Sequence, residues 1–143
     1  MAFSLMITLA GGLVALLAHS RRAVQRADSS TIALAAAAAR LERLRSVPWP
    51  YDVAGAAVHV PLLDESPADS LRTDTAGYAE LLDRDGQPLP AGATGARLVS
   101  RWAVSAAGAD AEVRALESCV FEWPAAPGAP ALACLVSWRA RQP

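Results

Sequence analysis

From Ala2 to Ala18 the chain carries no charge, and from His19 onward charged and apolar positions alternate at helical spacing without a proline until Pro48. One helix reading covers Met1 to Trp49. At about 1.5 Å per residue it would be on the order of 65 Å long, more than a domain of this size can bury. Its front, Ala2 to Ala18, is an apolar run of about 17 residues, the lower limit for crossing a hydrocarbon core. Its rear places Val24, Ala27, Leu34, Ala37, Ala38, Leu41 and Leu44 at spacings of three and four, a narrow stripe able to lie on a sheet. Val47, Pro48, Trp49 and Pro50 end it, because a residue before proline is pushed out of helical dihedrals. No basic residue precedes the apolar run and no small-x-small site follows it, so a retained anchor or packing helix is expected over a removed signal peptide.

Residues 49–76 read as an irregular linker with one short strand candidate, Ala57 to Leu63. From Gly77 the period changes to two. Tyr78 to Leu82 runs into Asp83-Arg84-Asp85-Gly86, where Asp-Gly signals a tight turn, and Gln87 to Gly95 is loop. Ala96 to Ser105 alternates Leu98, Ser100, Trp102 and Val104 against Val99, Arg101 and Ala103. Ala111 to Trp123 and Ala131 to Arg141 follow as two more strands around a Pro/Gly loop. The expectation is an α+β protein, divided as 1–20 apolar helix, 21–48 amphipathic helix, 49–76 linker and 77–143 antiparallel sheet.

Pairing the final two strands with Trp123 opposite Pro130 brings Cys119 opposite Cys134, where Cβ atoms lie about 4.5 to 5.5 Å apart. Pro130 has no N–H for the ladder and suits a non-hydrogen-bonded pair, which puts Cys134 in the same closer-spaced class. A cross-strand disulfide is the expectation, with two buried free thiols as the alternative. It would favour an oxidising compartment. Arg21, Arg22 and Arg26 oppose this, since the positive-inside rule places them on the cytoplasmic side.

The 143 residues are 53% hydrophobic with a formal charge of −1, enough for one modest domain plus an appended segment. That balance gives no basic surplus for nucleic acid. Every basic side chain except two histidines is arginine; lysine and asparagine are absent, so no N-glycosylation acceptor exists.

Phe3-Ser4-Leu5-Met6-Ile7 opening an apolar helix resembles the start of mature type IV pilins. The helix that turns amphipathic, ending in Ala39-Arg40-Leu41-Glu42-Arg43-Leu44-Arg45, and C-terminal strands with a cysteine pair extend the resemblance to minor pilins and to type II secretion pseudopilins. It implies a pilin-like fold, leader cleavage between Ala2 and Phe3 by a prepilin peptidase, and methylation of Phe3. It also implies a single-pass protein of the bacterial inner membrane, sheet domain outside, that exchanges lipid for other pilin or pseudopilin subunits. Phe3, Leu5, Ile7, Gly11 and Gly12 would pack the filament core, where small residues let helices approach. Only Met1-Ala2 precedes Phe3, so the start is expected to lie further upstream. The glutamate of the family's fifth mature position is Ile7 here, which is similar to tip-located minor members. The alternative is a membrane-anchored extracytoplasmic binding domain unrelated to pilins.

No catalytic constellation, cofactor motif or metal set assembles from the residues. His19 and His59 lack motif partners and read as surface or interfacial residues. Asp83, Asp85 and Gly86 open like a calcium loop, but Gln87, Leu89 and Ala91 fail as ligands, so a hairpin turn is expected. Two cysteines without a further His or Cys do not fill a tetrahedral metal site. Asp64, Glu65, Asp69 and Asp74 read as a solvated acidic loop. Trp102, Trp123, Trp138 and Phe121 read as sheet residues packed against the helix.

Overall fold

The computed structural model describes the backbone of residues 2–90, 92–108 and 110–141, with side chains from Leu16 onward apart from Asp110 and Ala111. One helix, α1 (Ala2–Ser46), is followed by strands β1 (Ala79–Leu82), β2 (Leu98–Ala107), β3 (Asp110–Glu122) and β4 (Ala133–Ala140). The strands form one antiparallel sheet in the order β1-β2-β3-β4, the meander that the alternation predicts. The chain divides into two units, Met1–Thr31 and Ile32–Pro143.

In the first unit, Leu16, Leu17 and Val24 are exposed. Ser20, Ser29 and Thr31 turn their hydroxyls back to the carbonyls of Leu17, Gln25 and Ala27, so these polar residues are accommodated within the helix. Among the described residues no helix is long and apolar enough to cross a membrane. The run that carries that expectation, with Ala2, Phe3, Leu5, Ile7, Gly11 and Gly12, lies outside the residues whose side chains are described.

In the second unit, the rear of α1 packs on one sheet face. The buried line is Ala33, Ala37, Leu41 and Leu44, whereas Leu34 and Val24 of the expected stripe are exposed. Ala33 and Ala37, without bulk, let the helix approach Leu82, Leu98 and Val120 closely. One to two turns on, Leu41 and Leu44 join Trp49, Leu63, Val104 and Leu116 in a second cluster. The helix stops at Ser46, just ahead of Pro48, as the restriction on pre-proline residues requires. Its end is tied to the sheet: Arg139 Nη1 of β4 donates to Leu44 O at 2.8 Å, satisfying a carbonyl that a helix terminus leaves without a partner. Burial, with Arg45 nearby, holds the Arg139 pKa below its ordinary value.

Ala57 to Leu63 is not a strand. Pro61 has no N–H for a ladder, and Pro61–Leu63 forms a single 3-10 turn, leaving only an isolated bridge between Tyr51 and Ala57. The surrounding segment is irregular yet anchored, because Leu63 is buried in the second cluster and Ser66 exchanges hydrogen bonds with the backbone of Val104. The Asp83–Gly86 turn forms as expected: Asp83 Oδ1 accepts from the N–H groups of Asp85 and Gln87 at 2.9 and 2.8 Å. Gly86 has φ 78°, a conformation that favours glycine, and a Cβ there would press on Ile32 Cγ2 at 3.0 Å.

Candidate functional site

Cys119 and Cys134 pair across β3 and β4 and form a disulfide, with Cα atoms 4.1 Å apart and a sequence separation of 15. Glu117 stands on the same sheet face, two residues along β3. Its carboxylate and both sulfurs lie within 4.8 Å of one another, but the sulfurs are bonded to each other, so the carboxylate alone remains to donate. The Glu117 contact to Cys119 Sγ at 3.8 Å is proximity and not a hydrogen bond, because a disulfide sulfur carries no proton.

The sheet face away from α1 holds what the sequence hides. Arg101, which alternates with Trp102 and shares its side of the strand with Val99 and Ala103, is 1% exposed. Its Nε donates to Asp74 Oδ1 at 2.8 Å, Nη1 to Arg72 O at 2.9 Å and Nη2 to Ala125 O at 3.2 Å, while its Cζ lies 4.7 Å from the centre of the Phe121 ring. One guanidinium therefore clasps two loops over Val99, Cys119 and Phe121. Leu71, Trp123 and Ala125 complete that cover.

Arginine holds two other corners. Arg40 of α1 lies 3.8 Å over the Trp102 ring and ion-pairs with Glu80 of β1; desolvation lowers its pKa, and Glu80 works against that shift. Arg141 stacks between Trp49 and Tyr51, at 4.4 and 5.4 Å, while donating to Glu112 at 2.5 Å and to the carbonyls of Pro50 and Val58. A planar guanidinium with several directed donors suits such bridging better than lysine would.

The acidic loop is solvated as expected, its carboxylate side chains 39–62% exposed, and each of them also faces a basic group of this chain. Asp74 pairs with Arg101, Glu65 with Arg114 at 3.4 Å, Asp69 with Arg72 at 3.7 Å, and Asp64 faces His59 at 3.4 Å. These carboxylates face basic groups of this chain, so the loop is no open acidic patch. His19 is exposed, and His59 touches only Asp64 among the described ion pairs.

The aromatics separate. Phe121 is buried, Trp102 and Trp123 are half-buried, and Trp138 is 66% exposed. Only Trp102 of the four lies toward the helix, beneath Arg40: Phe121 and Trp123 belong to the cluster on the far face, and Trp138 lies on the face of β4 opposite Leu135, the residue that joins the helix-side clusters, with no described loop over it. Val136, its neighbour on that face, is exposed as well. Among the described residues, no nucleophile, base and oxyanion donors converge, and the polar groups near one another are structural ion pairs.

Comparison with known proteins finds no matching family model, no matching curated relative and no matching solved structure.

Proposed function

We propose that the chain is a structural subunit of a pilin-like filament, a minor pilin or pseudopilin. Its apolar helical front sits in the inner membrane and then among neighbouring subunits, and its sheet domain stands outside. The observation that carries the reading is the 45-residue helix, whose rear, from Ala33, is buried on the chain's own sheet. Leu16, Leu17 and Val24 are left exposed, and an apolar surface this chain does not cover suits lipid or other subunits. The disulfide agrees with an oxidising compartment outside the cytoplasm.

Topology is tested with Ser105→Cys, an exposed position, in the full chain in intact cells. A membrane-impermeant maleimide should label it without lysis. Labelling only after lysis would place the sheet domain in the cytoplasm and sink the proposal.

A further inference from the structure

The two edges of the sheet are treated differently. Along the outer side of β1, the chain covers its own edge: Leu89 N–H donates to Leu81 O at 2.8 Å, Asp83 N–H donates to Gln87 O at 2.9 Å, and Leu82 bridges Pro88. Nothing comparable lies along β4 among the described residues. Antiparallel neighbours alternate between hydrogen-bonded and closer non-hydrogen-bonded pairs. The short Cα separation of Cys119 and Cys134 marks theirs as non-hydrogen-bonded, and Arg141 N–H donating to Glu112 O marks the odd-numbered residues as bonded to β3. The N–H and C=O groups of Cys134, Val136, Trp138 and Ala140 therefore point away from the sheet, and all four residues are exposed.

Exposed edges in monomeric proteins are ordinarily blunted by lysine, proline, bulges or inward charges. Residues 133–140, ACLVSWRA, hold no lysine, proline, glycine or acid. The one charge, Arg139, is on the helix side and committed to Leu44 O, and the adjacent Arg141 is committed to Glu112, Pro50 and Val58. The edge thus offers main-chain donors and acceptors with an uncharged side-chain face.

We infer that β4 pairs with β4 of a second copy of this chain, antiparallel and centred on Ser137. That register sets Val136 of each copy against Trp138 of the other, an aromatic residue on a β-branched one, and sets Cys134 against Ala140. It places Arg139 opposite Leu135, so no like charges meet. A single strand edge lies at the low end of specific interfaces, below about 1,200 Å², so the dimer is transient and best trapped covalently.

In this register the two Ser137 residues face each other across the two-fold axis as a non-hydrogen-bonded pair, about 4.5 Å apart at Cα. Full-length Ser137→Cys, purified in detergent and oxidised mildly, should form a reductant-sensitive dimer at least ten times faster than Ser105→Cys. Adding Val136→Lys, at an exposed position, should remove that advantage while leaving the thermal melt unchanged. Equal rates for Ser137→Cys and Ser105→Cys overturn the inference, and they are also the outcome if the edge takes a strand from a different protein. A Ser137→Cys advantage that survives Val136→Lys overturns it as well.

Discussion

Replacing Arg101 with methionine tests whether one buried guanidinium secures the loops over the far face of the sheet. The substitution keeps much of the aliphatic volume and removes the donors to Asp74, Arg72 O and Ala125 O together with the contact to Phe121. Breaking a fully buried ion pair costs about 3–5 kcal/mol. Here the Asp74 side chain is 39% exposed and can recover water, as can the loop carbonyls, so about 2–3 kcal/mol is expected. That corresponds to roughly 30- to 150-fold in the unfolding equilibrium. The loss should be read in two ways: from urea melts followed by tryptophan fluorescence, and from trypsin cleavage after Arg72, which is exposed yet held by its own carbonyl to Arg101. Arg101→Met should be cut faster there than wild type. Asp74→Asn should lose less, about 1 kcal/mol, and the double variant should lose less than the sum because the two share an interaction. An Arg101→Met protein within 0.5 kcal/mol of wild type, with unchanged cleavage at Arg72, would refute the clasp.

Three further outcomes follow from the same structure. Cys119→Ser with Cys134→Ser should lower stability by about 3 kcal/mol, the chain-entropy value for a loop of this length, and the native, unreduced wild type should resist thiol labelling. Leu41→Ala should cost about 2–5 kcal/mol and Leu34→Ala less than about 0.5, measured by the same melts, because the first is buried and the second exposed. Ser118 Oγ is fully buried and has no hydrogen-bond partner among the described residues, so Ser118→Ala should raise stability by about 1 kcal/mol; destabilisation would mean that the hydroxyl is satisfied.

The sheet is the part most plainly written in the chain. Alternation through β2 and β3, the Asp83–Gly86 turn and the missing N–H of Pro130 together determine strand order and the register that brings Cys119 to Cys134. The helix stripe is less legible. Ala33 and Ala35–Ala39 present similar small side chains around the axis, so periodicity alone favours Leu34, while burial follows Ala33 and Ala37, where the backbone needs room to approach the sheet. Arg101 is hidden for a different reason: a charged residue on the outward period of a strand reads as solvated, and only the irregular 66–77 and 123–130 segments, which no period describes, make that position interior. Asp74 and Glu65 of the acidic loop find partners on β2 and β3 that no local pattern reveals, whereas Asp69 and Asp64 face Arg72 and His59 close by in sequence. Trp138 errs in the opposite direction, because aromatic character says nothing of which face of a strand receives a cover.

A processed filament subunit, as proposed, begins at Phe3 and carries a methylated amine there. Mass spectrometry of the mature N-terminus, on protein taken from its native membrane, tests it most directly. A methylated Phe3 is the predicted result; an intact Met1 on functional protein would contradict the claim.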